Sequence, residues 1–381
     1  MRNLTSDEQL LLSRRAARLE RRWPAAPDCA FIQSRFDAMM HQYRAVGAAL
    51  TLLYPNGTER TFVYGLESRR TKQPVRRSTF MRIASVTKTV TALGLLALCE
   101  DGLLSLDSDL SGVLGFQFRN PLDPSVPITA RMLLTHTSGI FDPPVYAQQS
   151  PSHFLPLQSL LSEQGVWQQR PGETFHYTNL GAGILGMVIA RASGSSLQEY
   201  MQRRIFSPLG IKAGYGARYL QEPVADRYHV RLFLPPRLSY DAEAQKQTAA
   251  PDSKADYLSA VGSLCTDSHG LAALLRLISS SVDTPVLSSR SLLEMRRCQD
   301  ASPHINHAGR GLGLSFLSSV YPDFSPVGHQ GVAYGMCCEA FIDPRSNCGA
   351  AFFTNGAVLG HLPLKAVGFD ALTLAFHAFS R

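Results

Sequence analysis

The stretch "RIASVTKTVTALGLLALCEDG", Arg82 to Gly102, sets Lys88 three residues after Ser85, at the head of a run that is otherwise almost wholly apolar. From Val86 onward it reads as a buried helix. Val90, Leu93, Leu95, Leu96 and Leu98 leave no continuous polar face, and Asp101-Gly102 supplies a stop. Three residues are nearly one helical turn, so Ser85 and Lys88 face the same way, within side-chain reach. An ammonium in apolar surroundings is costly unless it is paired or loses its proton. A desolvated lysine beside a serine hydroxyl is one route to an activated nucleophile. The competing reading is an ordinary helix start, with serine as N-cap and a lysine that snorkels to solvent along its stem. The S-x-x-K spacing alone does not choose between them.

The 381-residue chain is 45% hydrophobic and 18% charged, with a net charge of +7. That length accommodates two domains, or one large domain with an insertion. Much of the positive charge sits in "SDEQLLLSRRAARLERRW", which reads as a basic amphipathic helix docked by its leucines, within an N-terminal extension over residues 1–30. No aromatic-and-basic interleaving or zinc-finger spacing argues for nucleic acid. Leu10 to Leu12 is far shorter than a secretory h-region, and no stretch approaches a membrane span, so the expected location is cytoplasmic. Seven cysteines, an odd count, suit a reduced protein better than a disulfide framework. Cys337-Cys338 lacks zinc-knuckle spacing and H-E-x-x-H is absent, so no metal is expected.

Along the chain, a helix is expected over Phe31 to Tyr43. "GAALTLLYPNGTERTFVYG" follows as a hairpin turning at Pro55-Asn56-Gly57. Residues 106–275 read as a helix-rich insertion, with helices over Leu180 to Ser193 and Ser196 to Arg204. Arg218 to Asp256 reads as an extended loop. Strand signals return in "GLGLSFLSS", "FSPVGHQGVAYGMCCEAFID" and "NCGAAFFTNG", before a last helix over Leu364 to Phe379. The expected fold is α+β: one antiparallel sheet from residues 31–105 and 276–381, flanked by helices and interrupted by the helical subdomain.

Acyl transfer through serine also needs a base, a proton donor for the leaving group and an oxyanion site. The G-x-S-x-G elbow of α/β-hydrolases does not occur. In "RPGETFHYTNLGAGILG", Arg170 to Gly186, Tyr177-Thr178-Asn179 lies just ahead of an apolar helix. There Asn179 can cap the helix, and Tyr177 can project as a phenol available for general-base work. Equally, Tyr177 can be a packed ring with a bonded hydroxyl. In "GHQGVAYGM", Gly328 to Met336, glycines inside a β-rich run suggest an edge strand that something approaches closely.

Taken together, Ser85-Val86-Thr87-Lys88, Tyr177-Thr178-Asn179 and His329-Gln330-Gly331 resemble, in order and separation, the three motifs of the serine β-lactamase and penicillin-binding-protein superfamily. The Y-x-N element resembles its class C-like branch, which also holds family VIII esterases and D-stereospecific peptidases. "LLTHTSGI", "IFSPLGI" and "GLGL" support the likeness, which runs from about Phe31 to the C-terminus. The resemblance implies a β-lactamase/transpeptidase-like fold with the site between sheet and helical subdomain. It also implies Ser85 as nucleophile, Lys88 and Tyr177 moving its proton, and Asn179 bonding the acyl side of the substrate. The backbone N–H groups of Ser85 and Val332 would form the oxyanion hole, with Gly331 and His329 lining it. No cofactor is implied, and His136 in "LLTHTSGI" is structural in that branch.

Two departures bear on substrate. His329 stands where the family usually carries lysine, so a fixed charge facing a substrate carboxylate is replaced by a side chain charged only below about pH 6.5. Carboxylate-bearing substrates are then expected to gain ground as the pH falls towards 6. Val332, Tyr334 and Met336 are bulkier than the usual residues after the third motif, and would narrow or grease the acyl pocket. The expected activity is hydrolysis of a small ester or amide through an acyl-enzyme, with a small-molecule ester, amide or peptide as substrate. Esterase ranks first, then D-amino-acid peptidase or D-Ala-D-Ala carboxypeptidase, then class C-like β-lactamase. Acyl transfer to an amine shares the same intermediate. A catalytically inactive binding homologue is the reading from another class, and retention of Ser85, Lys88 and Tyr177 weighs against it.

Overall fold

Gly47 to Leu53 and Glu59 to Gly65 pair as an antiparallel hairpin, turning where Gly57 takes φ +87°. These are β1 (Gly47–Leu53) and β2 (Glu59–Gly65). They are followed by β3 (Met81–Arg82), β4 (Ala213–Tyr215), β5 (Arg227–Arg231), β6 (Leu234–Tyr240) and β7 (Leu264–Thr266). The late strands are β8 (Gly309–Gly311), β9 (Leu314–Phe316), β10 (Val327–Ala333), β11 (Met336–Ile342) and β12 (Gly349–Thr354). A computed structural model describes residues 27–150, 155–231, 233–240, 252, 254–299, 309–317, 321, 323–358 and 366–379. The expected basic N-terminal helix lies outside them.

The main sheet has the order β2-β1-β12-β11-β10-β9-β8 and is antiparallel throughout, so the earliest hairpin lies against the last strand. Every residue of β1 is buried because the strand is covered on both faces. Ala48, Leu50 and Leu52 join one core, with helices α1 (Cys29–Gln42) and, at the far end of the chain, Ala366–Phe379. Ala49 and Leu53 point the other way, into the core built on Val86–Glu100 (α2) and the helix Ser268–Ser279. Alternation with period two thus feeds two apolar layers at once.

The inserted region is helical in its body. Asn179–Ser193 (α3) packs on α2 and on the short turn Ser259–Gly262. It also carries strand: β4, β7 and β3 make a small antiparallel sheet, and β5–β6 form a bulged hairpin. Residues 218–256, expected as a loop, therefore hold paired backbone, because the bulges accommodate a stretch whose prolines break regular alternation. The helix Ser268–Ser279 lies against β1, β11 and β12, so the main-sheet layer begins before residue 276. Among the described residues no single helix is long and apolar enough to cross a membrane.

Docking of α3 depends on Gly183. A Cβ there would stand 1.9 Å from the Tyr257 carbonyl oxygen, a backbone atom that must move to admit it. Gly183→Ala should cost about 1–3 kcal/mol of stability through that overpacking, measured as a lower midpoint in urea unfolding. An unchanged midpoint would show that the contact is not tight.

Candidate functional site

Ser85 stands at the N-cap position of α2, yet its side chain makes no capping hydrogen bond. The N–H groups of Val86, Thr87 and Lys88 donate instead to the carbonyls of Ile83, Ala84 and Ser85, at 3.2, 2.9 and 3.0 Å. This tight entry is reached through Ala84 at φ +45°, a left-handed backbone that costs a non-glycine residue roughly 1–2 kcal/mol. The hydroxyl is thereby released from capping, and accepts from Lys88 Nζ at 3.1 Å.

Lys88 is only 3% exposed, so the snorkelling arrangement is excluded. Its Nζ also donates to Asn179 Oδ1 at 3.0 Å and to the Val261 carbonyl at 2.9 Å. Three acceptors match the three donors of an ammonium. The Tyr177 ring centroid lies 5.1 Å from Nζ, within cation–π range.

Tyr177 is held between two imidazoles, with ring centroids 4.6 Å from His136 and 6.2 Å from His329. His136 is buried at φ +58°, and its Nδ1 accepts from the Thr178 N–H at 3.3 Å. The LLTHTSGI loop is thus a brace behind the second motif. Burial, with the charges of Arg310 and Lys88, pushes the His136 imidazole well below its usual range. The helix after Tyr177 is capped by Thr178, whose hydroxyl accepts from Gly181 N–H at 3.5 Å, rather than by Asn179, which is its first residue.

His329 is also buried, with Nδ1 2.6 Å from the Gln330 carbonyl. Because a carbonyl only accepts, that nitrogen carries the hydrogen and Nε2 is left as acceptor in the neutral ring. Burial first, and the Lys88 charge second, lower its pKa to about 3, against the opposing pull of the Gln330 carbonyl. The expectation of a side chain charging near pH 6.5 is corrected: burial and the neighbouring Lys88 charge disfavour the protonated ring.

β9 pairs with β10 only at Val327 and Gly328 among the described residues, so the strand runs on towards Ser85 as an edge. A Cβ on Gly331 would stand 2.3 Å from the Ile83 carbonyl oxygen and 3.0 Å from Ser85 N, which explains the glycine. Side-chain directions differ from the pocket-narrowing expectation. Met336 is in the core beside α2, and Val332 packs towards the core on the opposite face of the sheet. Tyr334 is exposed in a two-residue turn with Gly335, both at positive φ, and Arg82 and Arg227 stand 5.5 and 5.0 Å from its ring.

Two participants were not foreseen. The Val261 carbonyl has no sequence signature, since any residue supplies one. Asp142, in "IFDPP", belongs to none of the three motifs, yet its carboxylate accepts from the Asn179 backbone N–H and from Asn179 Nδ2, at 2.9 and 3.0 Å. Among the described residues no group of three His, Cys, Asp or Glu could hold a metal ion, and the cysteines form no disulfide.

A sheet-and-helix fold with serine, lysine and tyrosine gathered at the head of a buried helix defines the class of β-lactamase and penicillin-binding-protein-like folds. The chain belongs to the Beta-lactamase family, which it matches over residues 32–373. It is similar to Lovastatin esterase of Penicillium rubens, 38% identical over 176 residues, a match covering 40% of this chain and 42% of that one. It is similar along nearly its whole length to Esterase EstB of Burkholderia gladioli, 26% identical over 366 residues, covering 88% of this chain and 92% of that one. In fold it is similar to the octameric penicillin-binding protein homologue from Pyrococcus abyssi. The TM-score is 0.74 at 24% identity, covering 92% of this chain and 78% of that one.

Gly331→Ala should lower stability by about 1–3 kcal/mol, because the Ser85 turn must retreat from the edge of β10 to admit the added methyl. The urea unfolding midpoint checks this, and an unchanged midpoint would show that the strand does not press on that turn.

Proposed function

We propose that this protein is a serine hydrolase that cleaves small, uncharged esters through an acyl-enzyme on Ser85. The observation that carries the reading is the Ser85 hydroxyl accepting from a buried, threefold-bonded Lys88 beside Tyr177. With Lys88 donating to Oγ, the hydroxyl proton points elsewhere; it would pass to the Tyr177 oxygen in its phenolate form, which then holds it as a phenol until the leaving alcohol takes it back. Oγ then attacks the ester carbonyl, and the oxyanion is received by the N–H groups of Ser85 and Val332. Collapse expels the alcohol, which regains the proton, and water repeats the sequence to free the acid. Asn179, His329 and Gly331 would line the substrate's path.

Esters without a carboxylate are favoured because His329 offers no fixed charge. The names of the two esterase relatives point the same way.

A fluorophosphonate probe should add the mass of a single label, lost in Ser85→Ala; label persisting in that variant would refute the assignment. Lys88→Ala and Tyr177→Phe should each lower kcat by about a thousandfold or more, and the double variant little further, as expected of one proton-moving unit. Additive losses would mean independent roles.

The imidazole of His329 sets two pH tests. The kcat/KM ratio for a neutral ester over an acidic analogue should stay flat from pH 8 to 5 for this side chain, whereas His329→Lys should favour the acidic analogue through a lower KM. Folding holds this imidazole neutral while the unfolded chain protonates it near pH 6.5, so its contribution is intact above that pH and is lost as the pH falls towards 3. The loss deepens with each pH unit below 6.5 until the folded ring also protonates. His329→Gln should flatten the decline of urea midpoints with acid. An equal slope in both proteins would mean that His329 protonates freely when folded.

A further inference from the structure

Asp142 is placed where one carboxylate binds Thr178, Asn179 and Leu180 at the head of α3. It accepts from Thr178 Oγ1 at 2.6 Å and from Leu180 N–H at 2.8 Å. Both of its oxygens stand 2.9 Å from Asn179 N, and Asn179 Nδ2 donates to it at 3.0 Å. The other end of the Asn179 amide, Oδ1, accepts from Lys88 Nζ at 3.0 Å. A carboxylate only accepts and an ammonium only donates, so these two neighbours permit a single orientation of that amide.

We propose that Asp142 is a positioning residue for Lys88, acting through Asn179. By holding Nδ2, it turns the amide oxygen onto Nζ and completes the three acceptors that fix the amine against Ser85. The assignment rests on the reading of Ser85 and Lys88 given above.

Asp142 also receives the first two N–H groups of α3, so this role must be separated from helix capping. Asparagine caps about as well as aspartate, which makes Asp142→Asn the informative change. The new side chain can still accept from the backbone, but it adds a donor facing Asn179 Nδ2. The Asn179 amide is then drawn to turn over, presenting hydrogens to Lys88. Asn179→Asp has the opposite fault, since it sets two carboxylates against each other. Combining both exchanges restores one donor opposite one acceptor and again leaves an oxygen for Lys88.

The experiment follows labelling of Ser85 by a fluorophosphonate, as rate and final stoichiometry by intact mass, in wild type, both single variants and the double variant. Each single variant should label about tenfold or more slowly, yet reach complete labelling, which excludes a merely smaller folded fraction. The double variant should regain about fivefold or more over Asn179→Asp, a coupling that independent structural damage would not produce. If Asn179→Asp does not fold, the rate and stoichiometry of Asp142→Asn decide the matter. Wild-type labelling speed in Asp142→Asn, or additive losses in the double variant, would overturn the assignment. A wild type that takes no label would overturn the functional reading itself, so the two failures are distinguishable.

Discussion

A charged amine buried at the start of an apolar helix is the constraint that organises this molecule. Lys88 has almost no contact with solvent, so each of its donors must find an oxygen inside the protein. Those oxygens come from three parts of the chain: Ser85 on its own helix, Asn179 at the head of α3, and the Val261 carbonyl beyond it. The tight packing of α3 against the segment carrying Tyr257 and Val261 is therefore part of the same requirement. Loosening that packing would strand a cation.

The environment that confines the lysine also fixes its neighbours. Two imidazoles bracket Tyr177, and both are kept neutral by burial and nearby positive charge. Neither competes with the tyrosine by placing a further cation against it. His136 serves as backbone support and His329 as a shaped, uncharged wall. Histidine in the third motif thus leaves that position uncharged while the edge strand and its glycine stay in place.

Much of this was legible in the residues. The helix from Val86 to its stop at Asp101-Gly102, the early hairpin and the late strands follow from periodicity and turn chemistry, which act locally. The three motifs carried their own spacing. What escaped was the part decided by tertiary placement. A histidine's charge depends on burial, which the string "GHQG" does not encode, and the direction of Val332 depends on the register of β10. Asp142 resembles any loop aspartate until the fold brings α3 above it. Residues 218–256 contain a hairpin because a bulged pairing tolerates prolines that deny a regular strand.

The order of strands in the main sheet has a consequence for how the site comes into being. β1 lies between β2 and β12, so the strand that closes the sheet beside it is nearly three hundred residues away in the chain. Contacts of such long separation form late and slowly. On a ribosome, the segment holding Ser85 and Lys88 emerges well before β10, whose edge faces the serine. During that interval the serine and lysine exist without the strand edge that comes to lie against Ile83 and Ser85. The cluster is therefore complete only once the sheet closes, and a chain halted before β10 would hold the first two motifs without the third.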